Sequence, residues 1–128
     1  MGNYGTLEER VRCKSLLSKV VPIEQTIDLF KDGMHVAFSG FTPAGCPKAV
    51  PTALAEHVEK NNLQGKLRFS LFVGASSTAS IENRWARNNM IDRRWPYQTG
   101  KDIAKGINEG SIRMGDKHLS LFAQDMSY

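Results

Sequence analysis

The chain has 128 residues, 41% apolar and 23% charged, with a formal net charge of +4. That is the size of one domain with a modest core and the composition of a soluble globular protein. It argues against a membrane-spanning chain, because no run approaches the roughly 20 apolar residues that a span needs. It argues equally against a nucleic-acid partner, because no basic stripe is interleaved with aromatics.

Residues 7 to 20 carry Leu7, Val11, Leu16, Leu17 and Val20 and predict an amphipathic helix. Pro22 suits the first turn of a second helix, Ile23 to Lys31, whose apolar face is Ile23, Ile27 and Phe30. Asp32-Gly33 stops it. His35 to Phe41 alternates and reads as a strand. A helix follows from Pro47 or Lys48 to about Asn61, with Val50, Ala53, Leu54 and Val58 on one face. Glu56 and Lys60 are spaced for an i, i+4 pair. Lys66 to Ala75 is a second strand, almost continuously apolar at its end, as a buried parallel strand is. A helix over Ile81 to Asn89, a short strand over Met90 to Arg94, a helix over Thr99 to Asn108 and a strand over Ser111 to Met114 complete the order. The segment from His118 to Tyr128 shows no closing helix. The alternation predicts an α/β fold, a mostly parallel sheet with right-handed crossovers and helices on both faces. Ligands then bind beyond the carboxyl ends of the strands.

Two loops fall at such ends. In Gly40-Phe41-Thr42-Pro43-Ala44-Gly45-Cys46-Pro47-Lys48 the glycines allow close backbone approach and the prolines stiffen the chain. The following helix points free N–H groups at the loop, and Lys48 adds a charge. This pattern holds a carboxylate, a phosphate or a thioester oxygen. It is equally the pattern of a tight turn whose glycines serve packing. It matches neither a P-loop nor a dinucleotide fingerprint. The second loop, Gly74-Ala75-Ser76-Ser77-Thr78, offers small residues with hydroxyls, or a plain turn.

The other candidates favour structural readings. Cys46 has no neighbouring histidine to activate it, and Cys13 and Cys46 lack metal-ligand spacing, which fits a reduced intracellular protein. His118 with Asp116 reads as a hydrogen-bonded loop histidine before an acid/base pair. Trp85 and Trp95 read as core or interface, and Arg94-Trp-Pro-Tyr-Gln98 as a fixed turn in preference to a segment that binds a ligand edge. Arg10/Arg12/Lys14 and Arg84/Arg87/Arg93/Arg94 read as solvated faces. Met1 to Thr6 meets the loose myristoylation pattern, while Glu8 and Glu9 argue against a transit peptide. No carboxylate pair is spaced to nominate a general acid and base, and no metal site is expected.

SGFTPAGCPKAVPTALAEHVEKNNLQGKLRFSLFVGAS, followed in order by ENRWARNNMIDRR, PYQTGKDIAKGINEG and DKHLSLFAQDMSY, resembles the acetyl-CoA hydrolase and acetate (succinate) CoA-transferase family, most of all its fungal-type hydrolases. The resemblance covers roughly residues 10 to 128. It implies two related α/β domains with the active site in the cleft between them. Residues 1–21 would be an N-terminal helical segment, 22–128 an incomplete first domain, and the second, catalytic domain absent. In such enzymes a second-domain glutamate attacks an acyl-CoA and forms a glutamyl-CoA thioester, with acetyl- or succinyl-CoA as donor and a carboxylic acid such as acetate as acceptor. The resemblance therefore transfers no catalytic residue here. It transfers Gly40, Phe41, Thr42, Gly45, Lys48, Gly74, Ala75 and Ser76 as substrate-binding residues. It implies no bound cofactor, coenzyme A thioester as substrate, a partner chain or C-terminal domain bearing the nucleophile, a homo-oligomer when complete, and a mitochondrial or cytoplasmic location. The alternative is a non-catalytic module or subunit that binds acyl-CoA or a carboxylate.

Overall fold

The computed structural model describes residues 5–40, 42–74 and 79–127, without the side chains of 42, 43, 79, 80, 119 and 126. The expected alternation is present. Strands β1 (His35–Phe38), β2 (Phe69–Val73), β3 (Ile91–Trp95) and β4 (Arg113–Met114) form one sheet in the order β1-β2-β3-β4. Every neighbouring pair is parallel. The crossovers carry α4 (Ala49–Lys60), α5 (Ala79–Arg87) and α6 (Lys101–Asn108). A sheet wound in one direction with right-handed crossovers places these helices in one layer.

That layer covers the core. From β2, Phe69, Leu71 and Val73 alternate toward it, and Leu54, Ala55 and Val58 of α4, Trp85 of α5 and Ile103 of α6 meet them in one buried cluster. Each large side chain buried there contributes about 1.5–3 kcal/mol. Trp85 lies edge-on to Phe38 and tilted against Phe69, and its Nε1 donates to the carbonyl of Pro51 at 2.8 Å. The core reading of Trp85 holds. On the opposite face Phe72 stacks on Trp95 with centroids 4.7 Å apart, and Phe122 of a final helix, α7 (Phe122–Ser127), meets Phe72 edge-on. Helices thus lie against both faces, unequally.

Several elements differ from expectation. The helix expected over 7–20 is two pieces: α1 (Leu7–Arg10), closed by a Thr6–Glu9 capping box, and a 3-10 helix, Lys14–Lys19. The apolar spacing explains this. Val11 and Leu16 are five residues apart, which breaks a helical face, and neither piece buries a residue. The second helix shortens to α2 (Glu24–Ile27), followed by i→i−3 bonds at Leu29 and Phe30. The chain also closes on α7, where no helix was expected, tied by a Lys117–Asp125 ion pair.

Arg68 braces the end of the sheet where β2 begins. Its Nη2 donates to the carbonyls of Ile91 and Ser111, both at 2.7 Å, and its backbone N–H donates to Asp32 Oδ1 at 2.7 Å.

Candidate functional site

Because β1 and β2 are parallel neighbours, paired Phe38↔Val73 at their ends, the two candidate loops leave the sheet side by side. Gly40 follows β1 with φ +151°, a conformation that favours glycine. A Cβ at Gly40 would sit 2.3 Å from the carbonyl oxygen of Gly45, and a Cβ at Gly74 would sit 2.8 Å from that of Gly40. No side chain fits either gap. Three of the predicted site residues therefore form one close-packed node at the carboxyl edge of the sheet.

Between Gly40 and α4 the loop holds a short helical turn, α3 (Thr42–Gly45). Lys48 is the N-cap of α4, exposed and without a side-chain capping bond. No acidic residue stands in the first turn of α4, so its positive end keeps its attraction for an anion. The backbone of Thr42 belongs to α3, and its side chain is not described. Phe41, Ala75 and Ser76 lie outside the described residues.

Beneath the node is a residue that sequence reasoning placed in solvent. Arg94 is 0% exposed and pairs with Glu82 of α5, Nη2 to Oε1 at 3.2 Å. Its Nη2 also lies 3.3 Å from the carbonyl of Gly74, to which it donates, and Nη1 donates to the carbonyls of Trp95 and Pro96. Burial pushes the guanidinium below its ordinary pKa, and the carboxylate of Glu82 opposes that push. The pairing of β3 explains how a charge comes inside. Phe69 faces Ile91, but Ser70 faces Arg93, so Asp92 is an extra residue in the strand. Without that irregularity Arg94 would point to the opposite face. Two-residue alternation cannot reveal it. The rest of the cluster reads differently again. Arg84 binds Glu59 between α4 and α5 at 2.6 Å, while Arg93 lies over the Trp95 ring at 4.9 Å.

The remaining candidates stay structural. The Nδ1 of His118 is 2.8 Å from Ser120 Oγ, and Asp116 Oδ1 accepts from the backbone N–H of Lys117. Of Arg94-Trp-Pro-Tyr-Gln98, expected as a turn, Arg94 and Trp95 instead end β3, and the chain bends only at Pro96, after a cis Trp95–Pro96 bond. Five of the glutamates are occupied elsewhere. Glu9 caps α1, Glu56 and Glu59 bind Arg84, Glu109 pairs with Lys105, and Glu82 is held by Arg94. Glu56 thus serves Arg84 across to α5, in place of the expected bond along its own helix to Lys60. No helix among the described residues is long and apolar enough to cross a membrane.

A singly wound parallel α/β layer with paired glycine loops at its carboxyl edge defines an α/β domain whose candidate ligand site lies at that edge. Comparison with known proteins places it further. Residues 5–128 match the family described as the acetyl-CoA hydrolase/transferase N-terminal domain, and the chain belongs to that family. It is 59% identical over 122 residues to an acetyl-CoA hydrolase of Kluyveromyces lactis, 58% over 122 to one of Saccharomyces cerevisiae and 54% over 123 to one of Schizosaccharomyces pombe. Each match takes in 95% of this chain, which spans only 23 to 24% of the length of those relatives.

Proposed function

We propose that the chain forms one wall of the active site of an enzyme that moves coenzyme A between an acyl-CoA, acetyl- or succinyl-CoA, and a small carboxylate such as acetate. The observation that carries the reading is the Gly40–Gly45–Gly74 node, which joins the two loops at the ligand edge of the sheet in a member of this family. Gly40, Phe41, Thr42, Gly45, Lys48, Gly74, Ala75 and Ser76 are its substrate-binding residues in this reading. Lys48 and the first turn of α4 attract its negative groups, and backbone N–H groups near the glycines serve the thioester oxygen. The nucleophilic glutamate comes from a second domain or a partner chain. That accords with the structural work of Glu56, Glu59, Glu82 and Glu109 here. The assembled enzyme needs no bound cofactor, is a homo-oligomer, and resides in the mitochondrion or cytoplasm.

Turnover of acetyl-CoA with acetate or succinate tests this in two preparations. The 128-residue chain alone is expected to show none. A chimaera in which the chain replaces the matching segment of the Saccharomyces cerevisiae relative is expected to be active, and to lose at least tenfold in kcat/KM on Gly74→Val. Turnover by the chain alone, or a chimaera indifferent to Gly74→Val, overturns the reading.

A further inference from the structure

The proposed loops rest on something the reaction itself does not call for: a fully buried ion pair. Arg94 is 0% exposed and Glu82 4%. A buried pair is a weak source of stability, because desolvating two charges offsets most of their attraction. An apolar pair of similar volume would fill the same space in the core. The geometry of Arg94 shows what such a pair would lose. One guanidinium reaches Glu82 at 3.2 Å, the Gly74 carbonyl at 3.3 Å, the Pro96 carbonyl at 3.3 Å and the Trp95 carbonyl. It therefore ties the carbonyl end of β2 to the turn after β3 and to α5. Gly74 in turn is in backbone contact with Gly40, and Gly40 with Gly45. A continuous path of contacts runs from Glu82 through Arg94 to both loops.

We infer that Arg94, oriented by Glu82, is a positioning residue that sets the Gly74 carbonyl and through it the separation of the Gly40 and Gly74 loops, on which thioester binding depends. The binding half of this inference rests on the proposed function; the geometric half does not. Arg94 touches no substrate in this scheme. Its planar fork suits the task, since it offers several fixed donors where a lysine offers one compact ammonium.

The test uses the 128-residue chain, followed by nuclear magnetic resonance. The double variant Arg94→Met/Glu82→Leu removes both charges together and so avoids stranding one of them. It is expected to keep the amide exchange of Leu54 and Ile103 within threefold of wild type. Exchange at Gly40, Gly45 and Gly74 is expected to accelerate at least tenfold, with shifted resonances. Unchanged glycine resonances and exchange in the folded double variant overturn the inference. Arg94→Lys, which keeps the charge opposite Glu82, is expected to shift the same three glycines; if it leaves them unmoved, the fork geometry is not required and the inference fails. Titration with acetyl-CoA separates the two readings. If wild type binds and the folded double variant binds at least tenfold more weakly, both stand. Equal binding by the two sinks the positioning role. If wild type does not bind while the glycines still respond to the double variant, the substrate assignment of the loops fails and the geometric role stands. In wild type alone, which no folding defect can confound, the Arg94 Nη–H resonances are expected to move when acetyl-CoA shifts Gly74. Stationary Arg94 resonances beside a shifting Gly74 also overturn the inference.

Discussion

A methyl group at Gly40 would stand 2.3 Å from the Gly45 carbonyl oxygen, on a backbone at φ +151° that side chains resist. Gly40→Ala is therefore expected to cost about 2 kcal/mol or more. At Gly45 the nearest atom to an added Cβ is 3.4 Å away, an ordinary contact, so Gly45→Ala should stay within about 0.5 kcal/mol. Paired urea denaturation curves check the contrast, and equal effects would refute the node. A third substitution probes the core. Trp85→Phe keeps a ring but loses the wider indole and its hydrogen bond to the Pro51 carbonyl at 2.8 Å, and should cost about 1–3 kcal/mol in the same assay. At this scale the sequence was legible where a residue type has one common use. A tryptophan in a helix of a small α/β chain went to the core, and glycines at strand ends went to close contacts. Arg94 was not legible, because its environment depends on an extra residue in its strand and on a partner twelve positions away.

Helices α4 and α5 are joined on their outer side by Glu59, which accepts from Arg84 Nε and Nη2 at 2.9 and 2.6 Å and from Asn88 at 2.7 Å. The Arg84 hydrogen bonds, then that of Asn88, draw its pKa from an ordinary 4.5 to about 2. A carboxylate lowered in the folded state stabilises the fold above its unfolded pKa and loses that contribution as pH falls toward the folded one. Glu59→Gln should therefore lower the melting temperature at pH 7, and the difference should shrink between about pH 4.5 and pH 2. A constant difference across that range would rule out the linkage. The Glu59 side chain is 38% exposed, so the effect is modest and weakens with salt. The long elements were readable because periodicity accumulates over many residues, as in the twelve of α4. The four-residue turn α3 and the six-residue α7 offer too few positions for a period to show. Residues 7–20 misled because apolar residues without a regular spacing, and without a surface to bury them, do not sustain a helix.

For the molecule as a whole, the parallel α/β order was readable from alternation alone, whereas the proposed ligand class came from resemblance, which family membership supports. Among the described residues, none before Pro22 belongs to the core cluster. Leu7, Leu16, Val20 and Val21 are each close to half exposed. Deleting residues 1–21 should leave a single cooperative unfolding transition, with stability changed by less than about 1 kcal/mol. Loss of cooperativity would show that the segment packs more tightly than its exposure indicates.

The extra residue in β3 also bears on how this strand can change length. Asp92 and Arg93 together follow Ile91 where a regular strand would have one residue facing Ser70. Removing Asp92 would leave Ile91 and Arg94 still inward and Trp95 still outward, at the cost of the carboxylate that pairs with Arg68 and Arg113. Adding one residue there instead, with no second irregularity to absorb it, would turn the guanidinium out and the indole in. The strand thus has one residue of slack in one direction only. Shortening there is survivable, and lengthening by the same amount disconnects the Gly40 and Gly74 loops from their buried support.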